Sequence, residues 1–170
     1  MIETERLKLI ACSRLHLETL LKGENFLAEL MELELADGWL HFPESVPFAL
    51  KMLEENPQNI RWGMHLFVHK ADNRLVGTGG FKGVPDESGM VEIGYAIAPG
   101  YQNQGLATEA ARAMIEYAFS WAAVKTVDAH TLAGENASTA VLTKCGMMKI
   151  GEKNDPDEGP VWHWRIERQI

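Results

Sequence analysis

Hydrophobic and polar positions along this chain follow two periods, and the points where one gives way to the other predict its elements. Arg6 to Ile10 alternates as a strand does, and Leu15, Leu17, Leu20 and Leu21 then fall at the spacing of a short helix. From Gly23 to Pro57 short helical patterns, such as Phe48, Met52 and Leu53, are interrupted by Gly38, Pro43, Pro47 and Pro57. Trp62 to Lys70 and Leu75 to Lys82 read as two strands joined by the turn-forming Ala71-Asp72-Asn73, an antiparallel hairpin. A third strand, Met90 to Ala98, comes after the Gly83 to Gly89 loop. The period then changes: Leu106, Ala110, Ala113, Met114, Tyr117, Ala118 and Trp121 share one helical face, with Glu109, Arg112, Glu116 and Ser120 opposite. Val124 to Leu132 reads as a strand, Ala137 to Lys144 as a short helix, and Met147 to Lys153 and Val161 to Glu167 as closing strands. Strands and helices interleave with no repeat or linker. The expected fold is therefore α/β in the mixed α+β sense: a single domain over residues 1–170, with helices packed on one mixed sheet.

One strand differs from the rest. Its odd positions, Val91, Ile93, Tyr95 and Ile97, are bulky and suit a core face. Its even positions, Glu92, Gly94, Ala96 and Ala98, offer a carboxylate and then almost no side chain. Such a face admits a thin extended ligand or a tightly packed helix, and Glu92 admits a chemical role or a plain ion pair. Pro99-Gly100 ends the strand, and Gln102-Asn103-Gln104-Gly105-Leu106-Ala107 runs straight into the Ala-rich helix. The first amides of that helix have no intrahelical partner and sit at the positive end of its dipole, which favours a phosphate. Gly105 would let a ligand approach the backbone, and Thr108 could add a hydroxyl. An ordinary water-capped turn is the competing reading.

Composition removes whole classes of partner. Among 170 residues, 16 Lys plus Arg against 24 Asp plus Glu leave a net charge of −8, which opposes loading onto nucleic acid or an anionic membrane. Met1 to Ile10 lacks the pattern of a secretory signal, and no segment approaches the roughly 20 apolar residues of a bilayer span. Cys12 and Cys145 form no metal-type spacing with the histidines, so no metal is expected. A cytoplasmic protein, monomeric or homodimeric, is the expectation.

The run Glu92-Ile93-Gly94-Tyr95-Ala96-Ile97 followed by Gln102-x-x-Gly105-x-Ala107 resembles the core motif of the GNAT superfamily of acetyltransferases, Gln/Arg-x-x-Gly-x-Gly/Ala after a strand. Asn136-x-x-Thr139-x-x-Leu142-x-Lys144-x-Gly146-Met147 resembles the signature of the ribosomal-protein serine/alanine N-acetyltransferase branch, as does the opening Thr4-Glu5-Arg6-Leu7. The resemblance implies a central, twisted, mostly antiparallel mixed sheet flanked by helices. It implies acetyl-CoA as cosubstrate, with its pyrophosphate on the amides of Gln102, Asn103, Gln104, Gly105, Leu106, Ala107 and Thr108. Its pantetheine would lie along Ala96, Ile97 and Ala98, paired to the main chain, and Asn136 would reach it from the next helix. Asn136 also reads as a plain N-cap of that helix, and the two roles are compatible.

The chain departs from the family pattern at several positions. Asn103 stands where Gly is common, and Asn tolerates left-handed backbone. Thr139 replaces Ser, Met147 replaces Phe, and Thr143 occupies the place where many relatives carry a proton-donating Tyr.

A protonated amine cannot attack a thioester, so a base is useful, and Glu92 matches the position of the family's glutamate base, direct or through water. Thr139 is the candidate donor or stabiliser for the departing thiolate, against simple helix-start bonding. Cys145 reads as core, since direct transfer needs no acyl-enzyme. By resemblance, residues 23–62 and 154–159 build the acceptor pocket, with Trp39, His41 and Trp162 as candidate lining, while His163 reads as solvated. An N-acetyltransferase for a protein N-terminus or a small amine is the leading expectation. A noncatalytic acetyl-CoA-binding module is the alternative; an ATP or dinucleotide site lacks its glycine motifs.

Overall fold

The computed structural model describes residues 1–170. Its elements are β1 (Ile2–Glu3), β2 (Leu7–Ala11), α1 (Arg14–Lys22), α2 (Glu24–Met31), β3 (Glu34–Leu35), α3 (Ser45–Glu55), β4 (Met64–His69), β5 (Arg74–Phe81), β6 (Met90–Ile97), α4 (Leu106–Phe119), β7 (Thr126–Leu132), α5 (Ala137–Lys144), β8 (Met148–Asp155) and β9 (Gly159–Glu167). The strands form one sheet in the order β1-β2-β4-β5-β6-β7-β9-β8, with β3 beside β5. Only β3–β5 and β6–β7 are parallel. This is the mixed sheet that the pattern predicts, mostly antiparallel as the family resemblance implies, with helices against it.

The predicted hairpin is β4–β5, but Trp62 lies in a short 3-10 turn, Pro57–Trp62, ahead of the strand. In the stretch from Gly23 to Pro57 the helical pattern at Phe48, Met52 and Leu53 falls in α3, and the rest resolves into α2 and β3. The two-residue strands β1 and β3 are too short to leave a periodic trace. One contiguous core links the elements, from Leu7 and Leu9 on β2 through Phe67, Ile93 and Met114 to Trp164 on β9.

Two features set the shape of the sheet at its centre. Strands β5 and β6 approach closely through glycine: a Cβ on Gly79 would lie 2.4 Å from Phe67 Cζ and 2.6 Å from Gly94 O. On the other side, β6 and β7 share only the rungs Met90–Thr126, Val91–Val127 and Glu92–Asp128. Beyond them β6 stays with β5 as far as Ile97, and β7 stays with β9 as far as Leu132. The two strands part, and a gap opens in the middle of the sheet.

Candidate active site

A cleft of about 580 Å³ runs through this gap. Strand alternation puts Ile93 and Tyr95 on one face of the sheet and Gly94 on the other, yet all three line the cleft. Ser138 and Leu142 of α5 close it on one side, and His41, Phe42, Phe48 and Met52 on the other. The cleft is therefore lined from both faces of the sheet.

The edge of β6 that borders the gap carries unused main-chain groups. Ala98 N–H donates to Val76 O and Glu92 O accepts from Lys82 N–H, so the even positions bond to β5. Ladder alternation then turns the N–H and C=O of Tyr95 and Ile97 toward the gap. Of the predicted strand residues, Ile97 offers main-chain groups there, while Ala96 and Ala98 contribute only slimness: Ala96 faces β5, and Ala98 spends its N–H on Val76 O and its C=O on Tyr101 N–H. Gln102 Nε2 donates to Ile97 O at 2.9 Å and fastens the adjoining loop to the strand end. Tyr95 Oη is buried with no hydrogen-bond partner, and burial pushes its pKa up, so it remains a neutral hydroxyl.

The loop after β6 behaves as its residues predict. Asn103 adopts φ of +60° and Gly105 +80°, the left-handed backbone that Asn tolerates and Gly prefers. Gly105 is the N-cap of α4 and has no side chain to cap it. Gln102 N–H bonds Pro99 O, but the N–H groups of Asn103, Gln104, Gly105, Leu106, Ala107 and Thr108 make no hydrogen bond within the protein. A row of outward amides at a helix start is a ready anion site. The loop is braced from behind by a residue the pattern did not single out for this job. Arg6 Nη1 donates to Gln104 O at 2.7 Å and its Nε to Glu109 Oε2 at 2.8 Å. Thr4 Oγ1 and Arg6 N–H donate to Glu109 Oε1.

On the opposite face, at the closed end of the gap, charged side chains form a row across β6, β7 and β9, with Lys82 joining it from just past the end of β5. Glu92 Oε1 accepts from Lys82 Nζ at 2.6 Å and lies 2.9 Å from His130 Nδ1. The His130 ring stacks on His163, with centroids 4.5 Å apart and planes 18° from parallel. His163 Nε2 contacts Asp128 Oδ2 at 2.6 Å, and Arg165 grips the same carboxylate with Nε at 2.7 Å and Nη2 at 2.8 Å. Burial opposes the charge on Glu92, but hydrogen bonds and charge from Lys82 and His130 outweigh it and hold the carboxyl below the usual range. Asp128 is depressed likewise, its burial overcome by Arg165 and His163.

Other expected residues are used differently. Thr139 Oγ1 accepts from Asn136 N–H and donates to Asn136 O, both bonds inside the helix cap, so its hydroxyl takes the helix-start alternative. Asn136 is that N-cap: Oδ1 accepts from Thr139 N–H, and Nδ2 donates to Leu132 O and Gly134 O. Trp39 is 1% exposed and donates to Glu24, so it belongs to the core. Trp162 lies under Lys149 and is absent from the cleft lining. His41 lines the cleft, as does Glu158 from the 154–159 loop. His163, expected to be solvated, is partly exposed, with one ring face stacked on His130 of the neighbouring strand and Nε2 on Asp128. Cys145 is half-buried, its pKa raised by burial, and its Sγ points to Thr108 O.

A family model described as an acetyltransferase (GNAT) domain matches residues 6–148. The uncharacterized N-acetyltransferase YjdG of Bacillus subtilis is 29% identical over 150 residues, covering 87% of this chain and 89% of its own. Among solved structures, ribosomal-protein-S5-alanine acetyltransferase from Vibrio fischeri superposes with a TM-score of 0.71 at 18% identity, covering 97% of this chain and 94% of that one. The ribosomal L7/L12 α-N-protein acetyltransferase RimL, in complex with coenzyme A, gives 0.69 at 18% identity over 96% and 95% of the two chains. The microcin C7 self-immunity acetyltransferase MccE, in complex with acetyl-CoA and AMP, gives 0.68 at 16% identity over 97% and 94%. No helix here is long and apolar enough to cross a membrane.

Proposed function

The chain belongs to the GNAT acetyltransferase family, and on that premise we propose that it transfers the acetyl group of acetyl-CoA directly to a primary amine, of a protein N-terminus or a small molecule. The observation that carries this reading is the cleft lined from both faces of the sheet. Bare amides lie beyond one end of β6 and a carboxylate–imidazole pair lies at the other, so a thioester and an amine have separate approaches to one gap.

In this reading the N–H groups from Asn103 to Thr108 hold the pyrophosphate, and Gln102 holds the loop in place. The pantetheine runs along Ala96, Ile97 and Ala98, bonding the main chain of Ile97 and Tyr95, with Asn136 beside it on α5. The orphaned Tyr95 hydroxyl fits such a ligand, because the amides and carbonyls of a pantetheine arm would satisfy it. Bound acetyl-CoA supplies the activated acyl group.

The acceptor enters past Phe42 and Phe48, where Glu44 and Glu158 also line the cleft. Two carboxylates beside aromatic rings suit an ammonium with an apolar neighbour. That ammonium, with a pKa of about 8 for an α-amine or about 10.4 for a lysine, must lose a proton before attack. Glu92 supplies the negative charge of the proton-accepting unit. Thr139 keeps a part in this proposal by fixing the start of α5 rather than through a free hydroxyl.

A panel of amines and N-terminal peptides, with acetyl-CoA and thiol detection, tests the reading. Amine-dependent release of free thiol, with acetylated product by mass, is expected. Tight acetyl-CoA binding without turnover on any acceptor would favour the noncatalytic module instead.

A further inference from the structure

Resting on that reading, we infer that His130 is the group that takes the proton from the acceptor amine, and that Glu92 acts through it as a positioning residue. Three observations converge. His130 lines the cleft, whereas Glu92 does not. Glu92 Oε1 is already occupied by Lys82 Nζ at 2.6 Å and by His130 Nδ1 at 2.9 Å. His130 Nε2 has no partner in the protein and is not sealed from solvent, so it is open to an incoming group.

The tautomer is dictated by the partner. An ionised carboxylate only accepts, so the proton of a neutral His130 sits on Nδ1 and the lone pair of Nε2 is left bare. The parallel stack on His163 fixes the ring plane, and His163 is itself held by Asp128. A carboxylate, an imidazole and an open nitrogen in sequence form a proton-accepting unit. Basicity points the same way. An α-amine lies about 1.5 pKa units above an ordinary imidazole but more than about 3 above an ordinary carboxylate, and Glu92 is held lower still.

In the proposed step, Nε2 takes one proton from the ammonium and becomes N–H. The freed lone pair of the amine forms a C–N bond at the thioester carbonyl carbon. As the carbonyl re-forms, the C–S bond breaks and sulfur leaves with its electron pair. The second proton shed by nitrogen ends on the thiolate, and the imidazolium returns its proton to solvent. Glu92 stabilises the imidazolium while it lasts.

The test compares His130→Gln, Glu92→Gln and the double variant against wild type, using an acceptor from the amine panel. His130→Gln is expected to lower kcat/KM by about 10²–10⁴ with acetyl-CoA affinity unchanged. Glu92→Gln retains an acceptor for Nδ1–H and should lose less, and the double variant should be no slower than His130→Gln alone. Wild-type rate in His130→Gln would overturn the assignment in favour of Glu92 acting alone, and losses that multiply in the double variant would overturn the claim that Glu92 acts through His130. Imidazole ¹⁵N shifts read the tautomer with no acceptor present. A silent wild-type enzyme therefore counts against acetyl transfer, whereas a neutral His130 protonated at Nε2 overturns this unit specifically.

Discussion

The helices that come after β6 and β7 begin on either side of the same gap in opposite ways. At the start of α5, Asn136 and Thr139 cap each other reciprocally, and a further pair of bonds runs from Asn136 to Leu132 and Gly134. At the start of α4, Gly105 caps nothing and the N–H groups back to Asn103 stand bare. A helix start that satisfies itself has little left to offer a ligand, and one that binds an anion has to be steadied by other means. Here the steadying comes from outside the helix: Gln102 clamps onto Ile97 O, and Arg6 bridges Gln104 O to Glu109.

The contrast breaks most sharply at Gly105. Gly105→Glu sets bulk and negative charge among the bare amides and is expected to weaken acetyl-CoA binding at least about a hundredfold, roughly 2.7 kcal/mol, by calorimetry. Gly105→Asn, which tolerates a φ of +80°, should bind far better than the glutamate variant. A folded Gly105→Glu protein with normal affinity would put the phosphate site elsewhere. At the other helix, Asn136→Ala should cost about 1 kcal/mol of folding stability in denaturant titration, the usual worth of a cap. Any loss of acetyl-CoA affinity beyond that marks direct contact.

Acid should separate the two starts by a smaller effect. The carboxyl of Glu109 is held low: burial raises it, but hydrogen bonds from Thr4 and Arg6 outweigh burial. A depressed carboxyl contributes stability above its unfolded pKa and loses it as pH falls through the folded one. The amide resonances of Gln104 and Gly105 should therefore move as pH drops below about 4.3, the ordinary glutamate value, while Thr139 N–H, bonded to a neutral amide oxygen, stays still. Equal movement at both sites would remove Glu109 as the brace.

What was legible in the chain is what rests on local pattern. The two faces of β6, the apolar face of α4 and the left-handed turn at Asn103 and Gly105 all depend on neighbours within a few residues, and the structure has them where the pattern predicts. The charged row was hidden because its members, Glu92, Asp128, His130, His163 and Arg165 on three strands and Lys82 just past a fourth, meet only once the register is set. His163 illustrates the point: its phase against Trp162 and Trp164 correctly separates it from their face, but nothing local reveals that His130 lies opposite it on β7. Residues 23–57 hid their boundaries for another reason. The helical pattern at Phe48, Met52 and Leu53 is legible and belongs to α3, but two short helices and a two-residue strand among glycine and proline breakers leave no long run to mark where each begins and ends.

The gap between β6 and β7 is lined from both faces of the sheet, and for the proposed transfer this bears on the order of events at steady state. A passage walled by different elements on its two sides has room for both reactants at once, so no product has to depart before the second reactant enters. Initial rates measured against one substrate at several fixed levels of the other should then give double-reciprocal lines that intersect. Parallel lines would mean that one substrate leaves its acyl group on the protein before the other arrives, a traffic pattern that a passage shared by both reactants does not require.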